Sequence, residues 1–100
     1  MTTRYVIEFA DSAVLDLDEI YEWYVEQQVP ETGLRLIAEI VTRTSQLETF
    51  PESGRIVPEL GVANIRELIY PPFRIVYRLD EDHIWLIRVW RSERLMKVPV

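Results

Sequence analysis

Three runs of strand-forming residues lie almost end to end in the last third of the chain: Ile65 to Tyr70, Phe73 to Leu79 and His83 to Trp90. Only Pro71-Pro72 and Asp80-Glu81-Asp82 separate them. Parallel neighbours need a crossover of a dozen or more residues, so runs joined this tightly must pair antiparallel. Alternation within each run implies one apolar face, and that face has to be covered.

The cover is legible upstream. Residues 4 to 9 alternate as a strand does, and Asp11 or Ser12 then offers a helix N-cap. From Ala13 onward Leu17, Tyr21, Tyr24 and Val25, flanked by Val14 and Ile20, recur at helical spacing. Asp16, Asp18, Glu19, Glu22 and Glu26 fill the rest of that helix's circumference. Pro30 suits the first position of a second helix, whose apolar residues Leu34, Ile37, Val41 and Leu47 carry it to about Glu48. Phe50-Pro51-Glu52-Ser53-Gly54 stops it, and a connector containing Pro58, Gly61 and Asn64 follows. The expected fold is α+β with the order β-α-α-β-β-β. An N-terminal strand leads into an antiparallel helical hairpin packed on one face of a small antiparallel sheet, in one domain over residues 1–100.

Strand alternation assigns the faces. Phe73, Ile75, Tyr77 and Leu79 are expected under the helices with Trp85, Ile87 and Val89. Arg74, Val76, Arg78, Leu86, Arg88 and Trp90 are expected on the open face, shared with Arg66, Leu68 and Tyr70.

Of 100 residues 48% are apolar and 28% charged, which suits a small globular domain. No run approaches the roughly 18 uncharged apolar residues of a membrane helix. The N-terminus enters the first strand without a signal-peptide core, so the chain reads as cytoplasmic with no membrane partner. With no cysteine and one histidine, thiol catalysis and the usual transition-metal sets are excluded, and His83 reads as a solvated turn residue. Three glycines form neither GxGxxG nor a Walker loop, so no nucleotide cradle and no cofactor are expected. The helical carboxylates lie at solvated spacings and give a carboxylate-pair hydrolase little support.

The net charge of −6 hides a division. Residues 1–53 hold three arginines against eleven carboxylates, whereas residues 54–100 hold seven arginines and Lys97 against six carboxylates. Ten of the eleven basic residues are arginine, the side chain suited to bidentate recognition of phosphate or carboxylate. Arg66, Arg74, Arg78, Arg88, Arg91 and Arg94 sit among Tyr70, Leu86 and Trp90. Such a mixture reads either as a solvated sheet face or as an interaction surface.

Several segments resemble the RelE/ParE superfamily of bacterial type II toxins over nearly the whole chain. They are Phe9-Ala10-Asp11-Ser12-Ala13, Gly33-Leu34-Arg35-Leu36, Leu47 to Arg55 with its Phe-Pro-Glu-Ser-Gly-Arg turn, Ile65-Arg66-Glu67-Leu68, Phe73 to Arg78, and Ile87 to Arg94. The resemblance implies one of two activities, cleavage of messenger RNA on the ribosome or inhibition of DNA gyrase. RNA cleavage requires phosphate-binding cations and an acid/base pair. By resemblance Arg74 matches an arginine near the scissile phosphate, and Arg94 or Arg91 would supply more charge. A ribonuclease would hold phosphate with Arg66 and Arg74 and require an unorthodox general base such as Tyr70 or Glu93. RelE-like enzymes usually add a C-terminal tyrosine or histidine and several lysines in the preceding loop. Here residues 91–100 contain neither tyrosine nor histidine, and residues 51–64 contain no lysine. A pI of about 4.7 also fits poorly with a protein that binds RNA through phosphate neutralisation.

The preferred expectation is therefore a ParE-like toxin that binds gyrase without catalysis, through Arg74, Arg88, Trp90, Arg91 and Arg94. The ending usually has a histidine where Trp90 or Arg91 falls, a departure from the ParE pattern. The resemblance further implies a cognate antitoxin whose extended or helical C-terminal segment, amphipathic and acidic, meets the toxin's apolar positions exposed beside the helices together with its arginines, in a toxin–antitoxin hetero-oligomer. The alternatives are a ribonuclease acting with ribosome and mRNA, and a diverged, inactive partner-binding member.

Overall fold

A computed structural model of the chain describes residues 4–91. The elements are β1 (Val6–Phe9), α1 (Asp11–Glu26), α2 (Pro30–Thr44), β2 (Arg55–Ile56), β3 (Ile65–Tyr70), β4 (Phe73–Asp80) and β5 (His83–Arg91). They build one five-stranded sheet in the order β1-β5-β4-β3-β2, with the helical hairpin on one face. All strand pairs are antiparallel except β1 with β5, which run parallel. Parallel pairing is open to β1 because both helices separate it from the rest of the sheet.

Helix α1 starts one residue earlier than a side-chain cap would place it. Its N-cap is Ala10, and neither Asp11 nor Ser12 caps. The Ser12 hydroxyl instead donates to the Ile87 carbonyl at 2.6 Å, tying the helix to β5. At the other end Gln27 and the left-handed Gln28 (φ 64°) close a Schellman motif, in which the Val29 amide donates to Tyr24 and the Gln28 amide to Val25. The second helix is α-helical only to Thr44 and continues as a 3₁₀ turn over Ser45–Glu48. Gly33 lets the helices approach closely, since a Cβ there would lie 2.9 Å from the Tyr24 Cβ.

The main core lies between hairpin and sheet. It joins Ala13, Ile40 and Leu47 to Phe73, Ile75, Tyr77, Ile84, Leu86 and Val89. The face expected for β4 is therefore the one observed, but those of β3 and β5 need correction. Strand register sets Arg66 beside Tyr77 and Leu68 beside Ile75, so Arg66, Leu68 and Tyr70 lie on the helix side. Ile65, Glu67 and Ile69 share the other face with Arg78, Val76 and Arg74. On β5, Ile84 and Leu86 face the helices and Trp85 lies opposite Arg78 on the other face. Val76 then pairs with Arg88 while Tyr77 pairs with Leu86, so Ile87 is an extra residue that resets the alternation. Simple alternation across this bulge puts Leu86, Trp85 and Ile87 on the wrong sides.

The second face is not open either. Val57 and Leu60 of the connector fold over it and form a small core with Ile65, Val76, Ile87 and Trp90. Gly54, at the start of this connector, sits where no side chain fits. A Cβ would lie 2.7 Å from the Glu67 carbonyl oxygen and 2.7 Å from the Tyr77 hydroxyl. Gly54→Ala is expected to destabilise the fold by about 2 kcal/mol through overpacking against main chain that has no room to yield. A urea titration checks it; an unchanged midpoint would mean that the connector is displaced without loss.

Candidate functional site

The sheet carries two arginine-centred sites, one on each side of β5. The first is built on the free edge of β5. β1 covers only His83–Leu86, so the rest of the strand has no neighbour there and α1 runs alongside instead. Asp16 completes this edge. Its Oδ2 accepts from the Val89 amide at 2.8 Å and from Arg88 Nε at 2.8 Å, while Oδ1 accepts from Arg88 Nη2 at 3.0 Å. One carboxylate thus satisfies an orphan strand amide and forms a bidentate pair with a guanidinium. Arg88 lies 4.5 Å from the centroid of the Trp90 ring, and Arg91 lies 5.1 Å from that of Trp23. Beside them α1 and β5 enclose a cavity of about 110 Å³, lined by Asp16, Glu19, Trp23, Trp90 and Arg91 among others. This end gathers Arg88, Trp90 and Arg91, three of the residues expected to face a target. Arg94 and Glu93 lie outside the described residues.

The second site surrounds Arg74, which is 8% exposed. Its Nε and Nη2 donate to the two oxygens of the buried Glu67 at 2.6 and 3.0 Å. Its Nη1 and Nη2 donate to Glu59 of the connector at 2.7 and 2.9 Å. Arg55 adds a further bond to Glu67 at 2.7 Å. Burial in a low-dielectric setting makes this pairing necessary, because an unpaired guanidinium there would be strongly unfavourable. The bonds to Glu59 and Glu67 raise the arginine pKa further.

The same bonds, chiefly the hydrogen bond from Arg74, hold the Glu59 carboxyl down to about 2 from an ordinary 4.5. A depressed carboxyl contributes stability that is present above its unfolded value and lost as pH falls through the folded one. The stability difference between wild type and Glu59→Gln is therefore expected to shrink between pH 4.5 and 2. Urea midpoints across that window test this, and a constant difference would remove the electrostatic role assigned to Glu59.

Arg66 stands elsewhere. It donates to the main-chain carbonyls of Ala63, Glu52 and Gly54 at 3.0, 3.3 and 3.1 Å, bracing the connector from the helix side. The structure thus brings Arg88, Trp90 and Arg91 together but leaves Arg66 and Arg74 on opposite faces. Tyr70 lies on the helix side under Arg43, whose guanidinium is 4.7 Å from the ring centroid. Among the described residues no three carboxylate or imidazole groups gather as a metal site. No described helix is long and apolar enough to cross a membrane.

Sequence reading missed the acidic partners Asp16, Glu59 and Glu67. For Asp16 a signal exists: it stands three residues after Ala13 and four before Ile20, on the apolar stripe of α1. Glu67 likewise shares a strand face with Ile65 and Ile69.

Residues 7–96 match the ParE toxin of type II toxin–antitoxin systems. The chain belongs to the ParE toxin family. Within the wider RelE/ParE superfamily it is closer to ParE. It is also similar to a solved chain of the chromosomal ParDE toxin–antitoxin system from P. aeruginosa, at 27% identity and a TM-score of 0.75, covering 89% of this chain and 97% of that one. A chain of the RelBE2 toxin–antitoxin complex from Mycobacterium tuberculosis shares the fold at 19% identity and a TM-score of 0.60, covering 91% of this chain and 94% of its own. No curated protein sequence matches.

The fold gives a reason for two segments of this ParE-family chain. The Phe-Pro-Glu-Ser-Gly-Arg turn and the Arg-Ile-Val-Tyr-Arg strand touch through Tyr77. Its hydroxyl donates to the Pro51 carbonyl at 2.6 Å and accepts from the Gly54 amide at 3.1 Å. Burial pushes this phenol's pKa up, so it stays a neutral donor.

Proposed function

We propose that this ParE-family toxin acts by binding DNA gyrase rather than by cleaving RNA, and that a cognate antitoxin neutralises it in a hetero-oligomer. One observation carries the preference. Arg66 and Arg74, the cations a ribonuclease reading would place on one phosphate, lie on opposite faces and are each committed to internal partners. A scissile phosphate needs cations that converge on it. In this reading the C-terminal half of β5 faces the target, with Arg88, Arg91 and Arg94 as charged contacts and Trp90 as support. Arg74 holds the sheet beneath. The antitoxin is supported by the likeness to chains taken from the ParDE and RelBE2 systems.

Tightly induced expression of the chain alone in a susceptible bacterium tests the reading. Filamentation with a DNA-damage response, while translation continues, is the expected result. Immediate arrest of translation without damage signalling would instead establish the ribosome as target, and healthy growth with folded protein would leave a partner-binding module.

A further inference from the structure

Arg88 is held on two sides. Its Nε and Nη2 donate to Asp16, which fixes the guanidinium within its own plane, and the Trp90 ring beneath it fixes the tilt of that plane. No bond among the described residues uses Nη1, and the side chain is 32% exposed, so this donor is what remains for an acceptor outside the chain. Trp90 itself is only 9% exposed. It is a floor for Arg88 rather than a contact.

What holds the floor in place comes from the connector. Trp90 lies directly opposite Arg74 in the β4–β5 register, close enough for the two side chains to pack. Residues 57–61 form a compact turn in which the Leu60 and Gly61 amides both donate to the Val57 carbonyl, at 3.1 and 3.0 Å, with Gly61 left-handed at φ 63°. The turn presents two adjacent side chains to the sheet. Glu59 takes both outer nitrogens of Arg74, and Leu60 joins Val57, Ile65, Val76 and Ile87 in the small core that contains Trp90. We propose that Glu59 and Leu60 are positioning residues for target binding: by clamping the connector onto the Arg74–Trp90 pair they keep the indole under Arg88 and so aim its Nη1 at the target. The inference rests on the reading that the C-terminal half of β5 faces the target. It joins the two arginine sites, on either side of β5, into one device.

Variants of the full chain test it. Trp23→Phe with Trp85→Phe leaves Trp90 as the sole tryptophan. In that background Glu59→Ala and Leu60→Ala should each shift its emission to longer wavelength and raise its quenching by acrylamide, with a cooperative urea transition showing that the domain still folds. In the otherwise unchanged chain each should weaken inhibition of purified gyrase about tenfold. Leu60→Met, which keeps the volume, should restore it. Arg88→Gln keeps a donor for Asp16 but has no second arm, so it should lose most of the inhibition, and adding Leu60→Ala to it should cost little more. A merely structural loss would add to it instead. Additive losses, an unmoved Trp90 emission, or full inhibition by a variant with an exposed Trp90 would each overturn the proposal. The inducer level needed to arrest growth separates it from the gyrase reading. If wild type leaves gyrase untouched while growth arrest follows the same order of variants, the gyrase reading falls and the positioning role stands; growth arrest indifferent to Glu59 and Leu60, or a wild type harmless to both gyrase and growth, overturns the positioning role.

Discussion

Glu67→Ala is expected to lower the unfolding free energy by about 3–5 kcal/mol, because removing one partner of a buried ion pair strands the other. Glu67 is buried and receives three bonds, two from Arg74 and one from Arg55. Glu59 cannot take over, since Arg74 Nε points at Glu67 and Glu59 already holds Nη1 and Nη2. Urea unfolding should show a lower midpoint with an unchanged slope. Replacing Glu67 and Arg74 together by methionine should recover most of the loss, because apolar isosteres of buried pairs are often as stable as the pair. A loss below about 1 kcal/mol in the single variant would mean that water reaches Arg74. It would then be available to a ligand such as a phosphate.

Asp16→Ala is expected to cost about 2–4 kcal/mol, from charge-assisted bonds to Arg88 and from a Val89 amide left without a partner in a buried setting. The consequence reaches function, because Asp16 fixes the strand that presents Arg88, Trp90 and Arg91. Asp16→Asn keeps the shape and an acceptor for the Val89 amide while losing the charge. It should therefore keep more than half of the lost stability, and the contrast between the two variants separates the edge bond from the ion pair. Equal losses would show that the ion pair alone matters.

The hairpin, its breaks and the β4 core face were legible because each follows from local rules: helical spacing, proline and glycine stops, and alternation within one strand. The face of β3 was not, because alternation gives two sets of residues without saying which faces inward. Alternation groups Leu68 and Tyr70 with Arg66 as one set, expected outward, and register with Ile75, Phe73 and Tyr77 turns all three inward. The face of β5 failed for a different reason, the extra residue Ile87, which no periodicity reveals. β2 is two residues long and stands inside a turn-rich segment, too short for any pattern. The arginines were counted correctly as a resource but not as a site, because their availability depends on Asp16, Glu59 and Glu67. These partners lie 72, 15 and 7 residues from their arginines.

The parallel pairing of β1 with β5 sets the order in which the sheet can be finished during synthesis. β3, β4 and β5 are joined by tight turns and can assemble as soon as they leave the ribosome, whereas Ile7 and Phe9 must wait for Ile84 and Leu86. Closing so long a loop is entropically slow, and vectorial synthesis adds its own delay. The first strand made is the last to find its neighbour. Until it does, the inner edge of β5 and the underside of α1 remain uncovered on the nascent chain.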